Sequence, residues 1–183
     1  MKKQKNSMLP SLLFAAFALA AGMHTGLYAS KNTLMQIASD RLVDGWKVVP
    51  ESTTYGLGDG LWDIYNGGYE VYTEAGVVEA LRRLYTRDND YVEVTVHTMN
   101  SPRSARAFLE DRHKMETGKE APRIPEWNSF LASGAGSTTL YAITGSWFIT
   151  VVAHHEGEKG KQQTTLFLKP MIEKASKLPS GKN

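Results

Sequence analysis

The 183-residue chain contains no cysteine. Thiolate nucleophiles, zinc–cysteine sites, iron–sulfur clusters and covalent c-type haem are excluded together, and no disulfide can staple the fold. Charge of one sign is also scarce, with 21 Lys and Arg against 19 Asp and Glu. Three of those bases, Lys2, Lys3 and Lys5, lie before Ser30 and no acid does, so the rest of the chain holds 18 bases against 19 acids, a formal charge of −1. Such a balance gives no electrostatic ground for gripping nucleic acid or anionic lipid, and neither partner is expected. Long hydrophobic runs are missing as well. The apolar stretch Leu12 to Ala21 has ten residues, far short of the roughly 20 that span a bilayer. Hydrolase motifs of the Gly-x-Ser-x-Gly, His-Glu-x-x-His and Ser-x-x-Lys types are absent, which lowers the expectation of catalysis without excluding a site assembled in space.

What is present begins with a leader. Residues 2–5 (KKQK) are basic, residues 12–21 apolar, and residues 22–30 small and polar. That order predicts a secretory signal peptide over residues 1–29, cut after Ala29, and a protein exported to the periplasm or the medium. Residues 30–183 are then expected to form one domain. A chain of about 150 residues buries roughly 70% of its unfolded surface, so its core can hold it without disulfides.

Along that domain, residues 32–44 carry Leu34, Ile37, Ala38, Arg41 and Leu42 at helical spacing. Trp46, Val48 and Val49 suggest a short extended piece before Pro50, and residues 51–60 read as a glycine-rich loop. Residues 61–75 (LWDIYNGGYEVYTEA) read as a tyrosine-rich helix broken at Asn66-Gly67-Gly68. Two adjacent glycines in a helix cost on the order of 1 kcal/mol each, so a bend or a close backbone approach is expected there. Residues 77–86 and 91–99 pair as a hairpin, the second strand alternating Val92, Val94 and Val96 with Glu93, Thr95 and His97, so that only one face should need burial. Ser101-Pro102 starts a helix with Ala105, Phe108, Leu109 and Arg112 along one face, stopped by Gly118. Residues 120–136 read as a long crossing loop. A second hairpin, 138–144 and 147–155, turns on Gly145-Ser146, and a helix follows over 163–177, kinked or begun by Pro170. The predicted fold is α+β: an antiparallel sheet of four or five strands, made of two hairpins, with helices packed on one face and a twofold hairpin–helix repeat suggested by the alternation.

The run Leu61-Trp62-Asp63-Ile64-Tyr65-Asn66-Gly67-Gly68, with Tyr72 and Gly76 after it, resembles the start of a family of exported bacterial proteins known only as a domain of unknown function. In that family a Leu-Tyr-x-Tyr-Ile-Asn-Gly run precedes a tyrosine-rich helix, a hairpin with a tyrosine like Tyr85, and a Met-x-Ser-x-x-x-Ala helix start, here Met99, Ser101 and Ala105. The hairpin from Tyr141 to Val152 is also similar, and the likeness spans about residues 45–178. Trp62 stands where the family often has tyrosine. The resemblance implies export and an α+β domain, and no activity.

Other motifs are weaker. Gly56-Leu57-Gly58-Asp59-Gly60 lacks both the preceding strand and the glycine spacing of a dinucleotide loop. Asp88-Asn89-Asp90 has Glu93 and Met99 where a calcium loop needs glycine and a carboxylate. His154-His155-Glu156, with His97 as a further ligand to consider, is the best metal candidate, but neighbouring strand residues point to opposite faces; no metal or cofactor is expected. Glu110, His113 and Glu116 read as a charged helix face. There remains an aromatic concentration: Trp62, Tyr65, Tyr69 and Tyr72 with Tyr85, Tyr141, Trp147 and Phe148. It predicts a non-enzymatic binding or accessory module for a small molecule or an exported protein partner. Its candidate surface is Trp62, Tyr65, Asn66, Gly67, Gly68 and Tyr69. The alternative is a small exported hydrolase using dispersed groups such as Asp59, Asp63, His97 and His154. The two separate on whether ionisable side chains converge within roughly 3 Å in one cleft.

Overall fold

The computed structural model describes residues 30–116 and 121–178. The predicted signal peptide lies outside the described residues. Among those described, no helix is long and apolar enough to cross a membrane.

The chain is α+β, with an antiparallel sheet of eight strands rather than four or five. The two predicted hairpins form its centre. One comprises β3 (Val77–Arg87) and β4 (Asp90–Met99), the other β7 (Ser137–Thr144) and β8 (Trp147–Ala153), and β4 pairs with β8 to join them. Gly145 has φ 56, as a tight turn with glycine first requires. Of the additional strands, β1 (Lys47–Val48) falls in the short extended piece expected before Pro50, and β2 (Thr54–Leu57), β5 (Arg123–Ile124) and β6 (Ser129–Gly134) come from segments read as loops. β2 and the short β1 take successive lengths of the outer edge of β3. β5 and β6 extend the opposite edge beyond β7.

Helices cover both faces of the sheet, not one. Against the first face lie α1 (Lys31–Ile37), capped by the Ser30 hydroxyl, and α5 (Gly157–Ala175). There Leu34, Ile37, Phe167, Leu168 and Met171 meet Leu81, Tyr85, Val94, Leu140, Ile149 and Val151. Against the second face lie α2 (Trp62–Tyr65), α3 (Tyr69–Glu74) and α4 (Pro102–Glu116). Leu61, Ile64, Ala105, Phe108 and Leu109 there meet Ala80, Met99, Phe130, Ile143 and Phe148. The physical reason is visible in β8, whose Trp147-Phe148-Ile149 run is apolar on both faces, as a strand covered on both sides must be. The proposed twofold repeat fails on the same ground. A twofold relating two antiparallel hairpins across β4 and β8 runs normal to the sheet and keeps faces unchanged, yet α4 and α5 pack on opposite faces.

Two local features shape the second half of the fold. Gly160, in the first turn of α5, is buried where an added Cβ would overlap the His155 carbonyl oxygen and the Thr138 side chain, so glycine lets the helix approach β7. Pro170 lies inside α5, which starts earlier than predicted; the helical partner of the Leu166 carbonyl is lost at a residue 44% exposed, where water can replace it. Asp90 fixes the helix start to the β3–β4 turn, accepting hydrogen bonds from His155 Nε2 and Lys159 Nζ at 2.8 Å each and from Gln163 Nε2 at 2.9 Å. The acidic turn is thus a structural anchor, and His155 is engaged there.

Candidate functional site

The broken helix is built by its turn. Asn66, Gly67 and Gly68 take φ values of 47, 104 and 71, three consecutive left-handed residues that end α2 and reverse the chain into α3. Space is not the reason for the glycines, since a Cβ on Gly68 would meet nothing within 4 Å and one on Gly67 would just touch the Trp62 ring at 3.9 Å. The bend is the reason, not a close backbone approach. It folds α3 back so that Tyr72 stacks on Tyr65, with ring centroids 3.5 Å apart and planes 11° apart.

This stack forms one wall of a cleft of about 190 Å³ on the second face of the sheet. Its other residues include Arg82 from β3, Glu93, Thr95 and His97 from β4, Phe148 and Thr150 from β8, Tyr141 from β7 and Arg112 from α4. Alternation along β4 puts Glu93, Thr95 and His97 on one face, as the sequence implied. That face is not left to solvent, because α4 and the broken helix close over it: Thr95 and His97 are buried. His97 is 2% exposed, and its ring lies within 9° of the Tyr65 plane and 3° of the Tyr72 plane.

The electrostatics follow from burial. His97 Nδ1 lies 2.9 Å from the Phe148 carbonyl oxygen, which can only accept, so Nδ1 carries the proton and Nε2 a lone pair. Burial pushes the His97 pKa down to about 4, against the opposing effect of that bond, and the ring is neutral at pH 7. The Tyr65 hydroxyl is buried with no hydrogen-bond partner among the described residues, and burial raises its pKa. Burial raises Tyr141 to about 12, with Glu116, which accepts its hydroxyl at 3.5 Å, adding to the effect. Arg82 Nη1 donates to the Ile64 carbonyl at 2.8 Å, tying α2 to the sheet, and its Nε stands 3.9 Å from Glu93. The Arg112 guanidinium lies over the rings of Tyr72 and Phe108, at 4.9 and 4.8 Å.

No family model and no curated protein matches the sequence. Among solved structures, the chain is similar to the extracellular domain of PknH from Mycobacterium tuberculosis, with 14% identity and a TM-score of 0.49 over 82% of this chain and 93% of that one. At that level the likeness assigns nothing. The site is therefore read from its own residues.

Of the six candidate surface residues, Tyr65 lines the cleft. Trp62, 52% exposed, and Tyr69 pack edge to face with centroids 6.2 Å apart and do not line it. Asn66, Gly67 and Gly68 form the turn that positions Tyr65 and Tyr72. From the wider aromatic set the cleft gathers Tyr72, Tyr141 and Phe148, whereas Tyr85 and Trp147 belong to the core under α5. The four groups of the hydrolase alternative do not share a cleft: His97 lines this one, and Asp59, Asp63 and His154 are exposed elsewhere. Among the described residues, no group of three His, Asp or Glu is placed to hold a metal ion. Glu110 and His113 meet Arg123 on the outer side of α4. A wider and more open groove of about 660 Å³ runs beside α5, its mostly apolar surface formed by Leu42, Val43, Leu166 and Pro170, with Asp44, Arg87, Gln162, Thr165 and Lys169 also in its lining.

Sequence reasoning missed Arg82, Glu93, Thr95, Arg112 and Thr150. Two signals were available. Arg112 ends an otherwise apolar helical stripe, and Arg82-Arg83 interrupts an apolar strand.

Proposed function

We propose that this protein is an exported, non-enzymatic binding module that holds a small molecule in the cleft between the broken helix, α4 and the sheet. The observation that carries the reading is the Tyr65 hydroxyl, buried at the cleft wall without a partner. An unpaired buried hydroxyl costs about 1–3 kcal/mol, which a ligand acceptor would recover. Aromatic walls with a few polar groups are the usual make-up of small-molecule sites. Glu93, the carboxylate of the lining, stands 3.9 Å from Arg82, longer than the roughly 3 Å of the close acid–base arrangement that catalysis would use. The leader composition of residues 1–29 supports the exported part of this reading.

The test is native mass spectrometry of the protein purified from its exporting host. The mature chain should begin near Ser30 and carry a non-covalent adduct. Tyr65→Ala should lose that adduct, while Glu110→Ala, altered on the far side of α4, should keep it. Equal retention by both variants would overturn the site assignment, and a mature chain still beginning at Met1 would overturn cleavage of the leader.

A further inference from the structure

We infer that the ligand of this cleft is a compact organic carboxylate with a single net negative charge, an inference that rests on the binding reading above. Charge balance comes first. Arg82 and Arg112 face Glu93 across the lining, and His97 is neutral, so the walls carry one surplus positive charge. Glu116 accepts the Tyr141 hydroxyl at 3.5 Å and is not part of the lining.

Donor balance points the same way. A guanidinium has five N–H donors and no acceptor. Arg112 has its face on Tyr72 and Phe108, but among the described residues it makes no hydrogen bond and no ion pair. Stacking occupies the face of the group and leaves its N–H edge available for a planar, two-oxygen partner. Arg82 differs: the Ile64 carbonyl already takes one of its donors. The Tyr65 hydroxyl adds a further buried donor with nothing to bond. A site rich in unspent donors and carrying a net positive charge is matched by an acceptor anion, and neither an amine nor a hydrocarbon would satisfy it.

Size and shape limit the rest of the molecule. A cavity of about 150 Å³ accommodates benzene, so one of about 190 Å³ has room for a six-membered ring bearing a carboxylate. The rings of Tyr65, Tyr72 and His97 are parallel to one another within 11°, which suits a flat ligand.

Benzoate, benzamide and benzylamine are suitable probes because they share a ring and differ in charge. The full mature protein would be titrated with each while backbone amide shifts are followed by NMR. Benzoate should shift the amides around Tyr65, His97, Arg112 and Thr150 in a saturable way and bind at least about tenfold more tightly than either of the others, the usual effect of a charge-assisted bond. Arg112→Gln should weaken benzoate by about the same factor, and Tyr65→Phe, which deletes only the hydroxyl and keeps the stack, by a smaller one. Should Arg112→Gln fail to fold, Tyr65→Phe alone decides whether the donor is used. Benzamide binding as tightly as benzoate would overturn the anion inference and leave the cleft a binding site. Absence of cleft shifts with all three probes would overturn both.

Discussion

Arg82 and Arg83 are neighbours on one strand and face opposite sides of the sheet, and the two sides treat them differently. Under α1 and α5, Arg83 is buried and bonded three times: Nε donates to Thr53 Oγ1 at 3.0 Å, and Nη1 donates to the Ala38 carbonyl at 2.7 Å and to Asp40 at 2.6 Å. It pins the segment after α1 to the sheet. On the other face Arg82 makes one hydrogen bond, and Arg112 makes none among the described residues. The first face is a packed core that engages Arg83 within the protein, although the indole nitrogens of Trp46 and Trp147 and the Gln163 Oε1 of α5 are buried there without a partner among the described residues. The second face leaves donors, a hydroxyl and space unsatisfied together. Stability is concentrated on one side of the sheet and binding capacity on the other.

Paired substitutions on β3 should break that comparison if it is mistaken. Arg83→Met should lower the free energy of unfolding by about 3 kcal/mol in urea denaturation, because it strands the buried Ala38 carbonyl and removes a network of three bonds. Arg82→Met should lower it by less than about 1 kcal/mol, as expected for a partly exposed group. Similar losses from both would mean that the cleft face is as integral to stability as the α5 face.

His97 supplies a sharper test, because a neutral buried imidazole must gain a proton when the chain unfolds. Its folded pKa, about 4, lies below the unfolded value of 6.5, so the unfolded state binds more protons between those two limits. The contribution is therefore complete above pH 6.5 and is lost as pH falls toward 4. Between pH 7 and 4.5 the wild-type protein should lose about 2 kcal/mol that His97→Gln does not lose. Glu79 acts in the opposite sense. Burial raises its pKa despite bonds from Tyr55 and Thr98, so its protonation favours the fold as pH falls, equally in both proteins. Parallel pH profiles for the two proteins would show that His97 is not held neutral in the cleft.

The central part of this architecture was legible from sequence because hairpins declare themselves locally. The strict alternation of Tyr91 to Met99 and the Gly145-Ser146 turn gave β3, β4, β7 and β8. β2, β5 and β6 were not legible. Thr54-Tyr55-Gly56-Leu57 is short and lies among glycines, Arg123-Ile124 is two residues long before Pro125, and β6 ends in Ala, Ser and Gly, so none shows a sustained period and pairing with β3, β6 and β7 respectively makes them strands. The burial of Thr95 and His97 was hidden for a related reason: alternation reports two unlike faces of a strand but not what covers the polar one. In the cleft, Tyr65 could be found because a glycine break in a tyrosine-rich helix is unusual. Arg82 and Arg112 each look like a single charge on an apolar pattern, and the docking of α4 over the sheet is what brings them to the same cavity.

An effect smaller than those at Arg83 and His97 concerns the turn that makes the cleft wall. Gly68 is exposed, and a Cβ there would meet nothing within 4 Å, so Gly68→Ala should disturb the protein through its φ of 71 alone. A left-handed alanine costs about 1–2 kcal/mol, a modest loss measurable by denaturation. The consequence for the site should exceed the consequence for stability if the bend exists to hold Tyr72 on Tyr65, since relaxing it would separate the rings whose centroids lie 3.5 Å apart. Ring-current shifts of the two tyrosines should then diminish in the variant while the amides of α5 on the opposite face stay unchanged. An intact ring stack in a protein destabilised by the expected amount would mean that α3 is held in place by its packing on Phe108 rather than by the turn.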